Sequence, residues 1–237
     1  MSFFPDPVNT LLFDLDGTLI SRRPTASQVF FDLIAQFCPP GGPDAERQTR
    51  RFVHYYWARS PEAARDIEQF GKFTEEFWEN YLVRQCLAYG CSPEEARDAA
   101  GKLAPLWDEA YQPDTVIAPD VHPTLENLRL AGYTLGLVSN RSLPFDEEIG
   151  QLGLDRHFQF TLIAGEIESW KPERKIFEHA LELAGTTPEA AVYVGDNYYA
   201  DVLGADQWGL TPVLIDPDGL FPEADCRVIE RLGDLIS

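Results

Sequence analysis

The spacing of hydrophobic positions changes twice along this chain. Residues 11–13 form an apolar run after the breakers Pro5 and Pro7, which is typical of a strand buried on both faces. From residue 24 to about residue 112, apolar positions recur instead at helical spacing and no convincing strand occurs. Beyond residue 116, short apolar runs alternate again with amphipathic segments. The pattern predicts an alternating β/α region interrupted by a helical insert.

The insert carries clear helix boundaries. A Pro- and Gly-rich break at residues 38–43 ends its first helix. Thr74 and Ser92 have the features of helix N-caps, and Ser92 is followed by proline at the first helical position and glutamate at the third. The last helix is expected to end near Asp108. These signals predict a helical bundle over residues 21–115.

The flanking segments alternate between strands and helices. Strands are predicted over residues 133–138, 160–163, 190–194, 212–215 and 227–229. Helices are predicted over residues 119–131, 144–152, 173–184 and 200–208, and again at the C-terminus. Short links between such elements predict a doubly wound parallel sheet. We therefore expect one discontinuous α/β domain made of residues 1–20 and 116–237.

Charge excludes some classes of partner. The 237 residues include 39 Asp+Glu and 19 Lys+Arg, so the formal net charge is -20. Such a surface repels phosphate backbones and anionic lipid, and no run of basic residues offsets it. The sequence predicts no nucleic-acid partner and no membrane partner.

The cysteines and the N-terminal segment bear on compartment. Cys38, Cys86, Cys91 and Cys226 form no C-x-x-C pair, so neither a zinc site nor a disulfide framework is predicted. We expect small thiols in a reducing compartment. Residues 1–20 lack a signal-peptide pattern and no apolar run has membrane-spanning length. A cytoplasmic location is expected.

Two carboxylates follow the first apolar run. Asp14 and Asp16 lie two residues apart, so both would project in the same direction at the carboxyl end of the strand, where ligands bind in open α/β sheets. Neighbouring carboxylates repel unless a cation or a shared proton relieves them. A polar turn, closed by Gly17, would account equally well for these residues taken alone.

Three further predicted strand ends or loops carry polar groups. Ser139, Asn140 and Arg141 follow one strand, Lys171 lies just before a helix, and another strand leads into a segment with two more carboxylates, Asp196 and Asp201. Each has an ordinary explanation as a helix cap, turn or surface residue. Their coincidence at one edge of one sheet favours a shared site.

Together these groups suit phosphoryl transfer. Asp14, Asp16 and Asp196 are candidate oxygen ligands for Mg²⁺, and Asp14 is a candidate nucleophile. Asp16 can move protons, while Asp201 can orient Lys171 or a metal-bound water. The candidate groups for binding phosphate or substrate are Ser139, Asn140, Arg141 and Lys171.

The chain resembles the haloacid dehalogenase superfamily of aspartate-nucleophile hydrolases over essentially its whole length. Four motifs occur in the family's order: D-L-D-G-T-L from Asp14, the strand-end Ser139, Lys171 followed by proline, and G-D-x(4)-D ending at Asp201. Glu168 stands where many relatives have glycine, which affects only the expected shape of a loop. The resemblance implies a Rossmann-like core, and for residues 21–115 a C1-type cap domain that closes over small substrates.

The resemblance also implies an activity. Family dehalogenases and phosphonate-cleaving relatives lack an acid at the position of Asp16, so its presence favours a Mg²⁺-dependent phosphatase that acts on a small phosphorylated metabolite through an aspartyl-phosphate. A sugar phosphomutase that uses the same intermediate is the alternative. Weaker alternatives are a haloacid dehalogenase and a non-catalytic binding protein. The sequence leaves the choice between monomer and homodimer open.

Overall fold

The computed structural model describes residues 3–237, so Met1 and Ser2 of the predicted segment 1–20 lie outside the described residues. The chain divides into two compact units. One, here called the sheet unit, contains Met1–Ser21 and Val116–Ser237, and the other, the helical unit, contains Arg22–Thr115. Within residues 3–237, no helix combines the length and apolar character that a membrane crossing requires.

A six-stranded parallel sheet forms the centre of the sheet unit. Its strands are β1 (Thr10–Phe13), β4 (Thr134–Ser139), β5 (Phe160–Ile163), β6 (Ala191–Gly195), β7 (Thr211–Ile215) and β8 (Arg227–Ile229). Their spatial order is β5-β4-β1-β6-β7-β8 and every neighbouring pair is parallel. The apolar run of β1 therefore lies at the middle of the sheet, hydrogen-bonded on both sides.

Helices cover both faces of this sheet. They are α6 (Val121–Leu130), α7 (Asp146–Gln151), α8 (Ala164–Ile167), α9 (Arg174–Ala184) and α10 (Leu203–Gln207). Leu11 and Phe13 of β1 pack with apolar residues of α6 and α7, whereas Leu12 packs with those of α9, because successive strand residues point to opposite faces. The predicted α/β fold with a doubly wound, Rossmann-like parallel sheet is confirmed.

The helical unit contains five helices: α1 (Ala26–Ile34), α2 (Ala45–Trp57), α3 (Pro61–Phe70), α4 (Glu75–Tyr89) and α5 (Pro93–Ala110). The predicted N-caps are present, since the Thr74 side chain accepts from Phe77 N and Ser92 forms a reciprocal capping box with Glu95. Apolar residues of α1, α4 and α5 share one buried cluster, and a second one, rich in aromatic residues, joins α2, α3 and α4.

The expectation of four free thiols is wrong for Cys38 and Cys91. These two residues form a disulfide, with Cα atoms 6.4 Å apart, and they are separated by 53 positions in sequence. The chain brings them together because the loop after α1 packs on the turn between α4 and α5, where Gly41 N donates to Tyr89 O. Cys86 and Cys226 are free.

Two short strands were not predicted. β2 (Ile20–Arg23) and β3 (Asp114–Ile117) form a two-stranded sheet where the chain passes from the sheet unit to the helical unit and back. Arg22 and Thr115 are joined by a side-chain hydrogen bond. β2 is mostly polar and β3 is half polar, and each has only four residues, so neither shows the apolar run or alternation on which strand prediction depends.

Candidate active site

Three predicted site residues follow or end neighbouring strands at the middle of the sheet. Asp14 follows β1, Ser139 is the last residue of β4, and Asp196 follows the last residue of β6. Because β4, β1 and β6 are adjacent and parallel, their carboxyl ends meet at one edge. The Asp14 backbone N–H continues the β1–β6 pairing by donating to Val194 O at 2.9 Å.

Lys171 forms ion pairs with two carboxylates at this edge. Its Nζ atom lies 2.7 Å from Asp14 Oδ1 and 2.7 Å from Asp201 Oδ1. Only 1% of Lys171 is exposed. Burial lowers the pKa of this amine, but the charges of Asp14 and Asp201 outweigh burial and raise it well above its ordinary value. The lysine is therefore a fixed positive charge in contact with the candidate nucleophile.

Three carboxylates converge beside this lysine. Asp14, Asp196 and Asp201 each offer an oxygen, and these oxygens all lie within 4.8 Å of one another. Burial raises the pKa of Asp14 to about 7, against the opposing charge of Lys171. Burial and then the charge of Asp14 raise the pKa of Asp196 well above its ordinary value. One lysine does not balance three carboxylates, of which Asp14 and Asp201 are buried and Asp196 is half-buried, so the cluster favours a further cation.

Two glycines make room for this cluster. Gly17 has φ +87°, and a Cβ atom there would lie 2.3 Å from Asp196 Oδ2. A Cβ atom on Gly195 would lie 2.3 Å from Asp201 Oδ2. The glycine beside each aspartate motif is therefore required by close approach, and at Gly17 by backbone conformation as well.

Asn140 fixes the backbone of Lys171. Its Oδ1 accepts from Lys171 N at 2.7 Å and its Nδ2 donates to Lys171 O at 3.0 Å. Both polar ends of the Asn140 side chain, a candidate substrate-binding group by sequence, thus contact Lys171. Ser139 is buried, and its Oγ accepts from Arg141 N at 3.2 Å.

The side chain of Asp16 is arranged differently from that of Asp14. It is half-exposed, and both of its oxygens accept hydrogen bonds of 2.7 Å from Arg141. Its carboxylate is not part of the three-residue acidic group found among residues 3–237. Hydrogen bonding to Asp16, and then to Glu148, keeps the pKa of Arg141 above its ordinary value although partial burial opposes this.

A wide helical turn directs Asp201 toward Lys171. Residues 198–202 form a π-helix that precedes α10, where the sequence predicted one regular helix over residues 200–208. Asn197 caps this turn by accepting from Tyr199 N and Ala200 N, both at 3.0 Å. Asp201 Oδ2 accepts from Asn197 N at 2.9 Å, which leaves Oδ1 for Lys171. Asn197 is not among the predicted site residues, although asparagine before a helix is an N-cap signal.

The Tyr193 ring also lies near Lys171. The ring centre is 5.2 Å from Lys171 Nζ, a contact that the apolar pattern of β6 does not predict.

Glu168 adopts the left-handed conformation, with φ 51°, at the end of α8. In the superfamily that the sequence resembles, many members have glycine at this position. Glycine adopts the left-handed conformation without strain.

The fold and the residues at this edge of the sheet define a class of protein. It is an α/β protein with a candidate nucleophilic carboxylate, a buried lysine and an acidic cluster at the carboxyl ends of its central strands. The family model described as "haloacid dehalogenase-like hydrolase" matches residues 8–209. The chain belongs to this family of hydrolases.

Several known proteins are similar over most of their length. A phosphoserine phosphatase of Thermus thermophilus is 30% identical over 243 aligned positions, which cover 95% of both chains. A glyceraldehyde 3-phosphate phosphatase of Methanopyrus kandleri is 42% identical over 214 positions, which cover 88% of this chain and 84% of that one. The crystal structure of a HAD phosphatase from Thermococcus onnurineus is 26% identical, with TM-score 0.54 and 96% coverage of both chains.

Proposed function

We propose that this protein is a phosphatase that hydrolyses the phosphate monoester of a small metabolite, with Asp14 as its nucleophile. The observation that carries the proposal is the contact of the Asp14 carboxylate with buried Lys171 beside the oxygens of Asp196 and Asp201. Relatives that bear phosphatase names and align over most of the chain support the same reaction.

Mg²⁺ is the proposed cofactor, and the residues present fit it. The donor set consists of carboxylate oxygens, which hard cations prefer. Because glycine has no Cβ atom, Gly17 leaves room for the Asp196 side chain next to the motif that contains Asp14. Asp14 and Asp196 are the proposed holders, while the lysine contact of Asp201 suits an orienting role. When bound, Mg²⁺ would offset negative charge on the phosphoryl oxygens and the carboxylates.

The first step transfers the phosphoryl group to the protein. An Asp14 carboxylate oxygen forms a bond to phosphorus while the bond from phosphorus to the ester oxygen breaks. Asp16 gives a proton to that oxygen, so the alcohol leaves neutral and Asp16 becomes a carboxylate. Lys171 and the Ser139 hydroxyl are proposed to donate to the phosphoryl oxygens. The Ser139 oxygen accepts from Arg141 N, which leaves its own proton for donation.

The second step releases phosphate. Asp16 takes a proton from water, the water oxygen bonds to phosphorus, and the bond from Asp14 to phosphorus breaks. Inorganic phosphate is released, the Asp14 carboxylate is regenerated, and Asp16 is protonated for the next turnover. The sum of the two steps is ester plus water to alcohol plus phosphate.

The helical unit is proposed to serve as a cap domain of the C1 type. Its support is its insertion between β1, which leads to Asp14, and β4, which ends at Ser139. In this role it would select the substrate.

Phosphate release from p-nitrophenyl phosphate, measured with Mg²⁺ and again with EDTA, tests the proposal. We expect release that requires the metal and falls at least about 1000-fold in Asp14→Asn, since the nucleophile is lost. Asp206→Asn removes an exposed carboxylate of α10 and should leave turnover unchanged. Turnover retained by Asp14→Asn would contradict the proposal. Incubation with a hexose 1-phosphate separates the alternative, because a phosphomutase would yield its isomer rather than free phosphate.

A further inference from the structure

The backbone of Arg141 is held firmly at the end of β4. Its N–H donates to Ser139 Oγ at 3.2 Å, and its carbonyl oxygen accepts from Gly165 N at 3.1 Å. A Cβ atom on Gly165 would lie 2.0 Å from Ser142 O, so the loop lies directly against α8. The Arg141 backbone, from which the side chain extends, is therefore fixed by β4 and α8 of the sheet unit.

The side chain of Arg141 is supported by α7 and the residue before it. The guanidinium carbon lies 5.1 Å from the centre of the Phe145 ring, and Nη1 donates to a carboxylate oxygen of Glu148. Arg141 and Glu148 are only 22% and 27% exposed. A planar guanidinium held on two sides loses little further freedom when it binds a third group.

The third group is Asp16. Arg141 Nε and Nη2 donate to its two oxygens at 2.7 Å each, a bidentate geometry. All three guanidinium nitrogens therefore already donate to carboxylates of the protein. Each carboxylate oxygen has two acceptor positions, and Arg141 occupies one on each. The Asp16 side chain is 47% exposed, so its remaining positions stay accessible.

We propose that Arg141, supported by Glu148, is a positioning residue that holds the Asp16 carboxyl group in place for both proton transfers. This inference rests on the proposed phosphatase function. It assigns Arg141 to Asp16 rather than to the substrate, because the guanidinium nitrogens are engaged within the protein. In the first step the proton moves from Asp16 to the ester oxygen, and in the second step it moves from water to Asp16. Arg141 gives up no proton in either step.

The dependence of rate on the leaving group tests this role. p-Nitrophenolate leaves readily without a proton, whereas phenolate gains more from one. We expect Arg141→Ala to lower kcat/KM for phenyl phosphate at least about tenfold more than for p-nitrophenyl phosphate. KM should stay within about twofold for both esters, because binding is not affected. Millimolar guanidinium should restore part of the phenyl phosphate activity.

Two further variants sharpen the test. Glu148→Gln should show the same leaving-group selectivity to a smaller extent, since it weakens the support of Arg141 but leaves its contact with Asp16. Arg129→Ala is the matched control, because Arg129 makes a bidentate pair with Glu126 on the exposed face of α6. It should change neither kcat/KM. Thermal unfolding of each variant establishes that it is folded.

The outcomes separate this inference from the function on which it rests. Equal loss on the two esters, or a higher KM with unchanged kcat, would overturn the positioning role while wild-type turnover still supports the phosphatase. Unchanged kinetics in Arg141→Ala would overturn it as well. A wild-type protein that releases phosphate from neither ester would overturn the proposed function, and the role of Arg141 with it.

Discussion

Lys171 and Asp14 form a buried ion pair in which the lysine Nζ atom lies 2.7 Å from the aspartate Oδ1 atom. The two residues are 157 positions apart in sequence, and both lie at the carboxyl edge of the same parallel sheet. Because Lys171 also contacts Asp201, it holds a candidate nucleophile and a carboxylate from a different strand end around one positive charge. The stability of the protein should therefore depend on the ionisation state of Asp14 in this cluster.

The metal-free protein should lose stability from the Asp14 site as pH rises. Burial raises the pKa of Asp14 from 3.8 to about 7, so between these values the folded protein binds more protons than the unfolded chain. The free energy of unfolding then decreases with rising pH in this window. We expect the melting temperature of Asp14→Asn, relative to wild type, to increase from pH 5 to pH 8 in EDTA.

The comparison with Asp14→Asn is needed because other groups titrate in the same range. Burial lowers the pKa of His157, which contributes stability of the opposite pH dependence in both proteins. Asp206→Asn should show a constant difference from wild type, and Mg²⁺ should reduce the effect at pH 8. A difference between Asp14→Asn and wild type that stays constant or falls with pH would show that Asp14 is not destabilised by burial.

Gly17→Ala should damage the site more than the fold. The new Cβ atom would lie 2.3 Å from Asp196 Oδ2 and would displace that carboxylate. We expect kcat to fall at least about tenfold and half-maximal activity to require more Mg²⁺. Mutation of residues that orient metal ligands typically changes metal affinity or activity about 10- to 100-fold. Magnesium titration of phosphate release measures both quantities.

Gly132→Ala is the matched control for that substitution. Gly132 also has a left-handed backbone, with φ +93°, but a Cβ atom there would meet nothing within 4 Å. The two alanine variants should lose similar stability from backbone strain, about 1 kcal/mol or more. Only Gly17→Ala should change the magnesium dependence. The same change in both variants would attribute the effect to the backbone alone.

Asn140→Ala should loosen Lys171. It removes two hydrogen bonds to the Lys171 backbone, which together are worth about 2 kcal/mol. We expect kcat to fall about 10- to 100-fold, as for other residues that orient a reactive group. Asn127→Ala, at an exposed position of α6, should leave turnover unchanged. Unaltered kcat in Asn140→Ala would mean that Lys171 needs no support from the Asn140 side chain.

The oxidised protein should contain two reactive thiols rather than four. Cys38 and Cys91 are paired, whereas Cys86 and Cys226 are free. Thiol titration of the denatured protein should count two before reduction and four afterwards. The bond links residues with a sequence separation of 53, so reduction should lower the free energy of unfolding by up to about 4 kcal/mol. Four thiols without reductant would rule out the pairing.

The strand ends at the site could be predicted because each is coded locally. The apolar run before Asp14, the strand before Ser139 and the Gly-Asp pair at Asp196 are continuous segments, and parallel topology brings their ends to one edge. Sequence also predicted the N-caps of α4 and α5, since a cap depends on residues only three positions apart.

Contacts between distant segments could not be predicted in this way. The Asn140 bonds to Lys171 span 31 positions, and the Arg141 bonds to Asp16 span 125. The same is true of the disulfide, whose two cysteines have no sequence pattern that pairs them. The π-helix before α10 depends on how Asn197 and Asp201 bond to backbone groups, which periodicity does not report.

The central position of β1 has a consequence for the order in which the protein is made. β1 is synthesised first, but its neighbours β4 and β6 begin only at Thr134 and Ala191. A nascent chain therefore carries the Asp14 segment with no neighbouring strand until β4 has been synthesised, and with only one until β6 has been synthesised. No N-terminal fragment that ends before Asp201 contains the complete acidic group, so translation products that stop before this residue should be inactive rather than poorly selective.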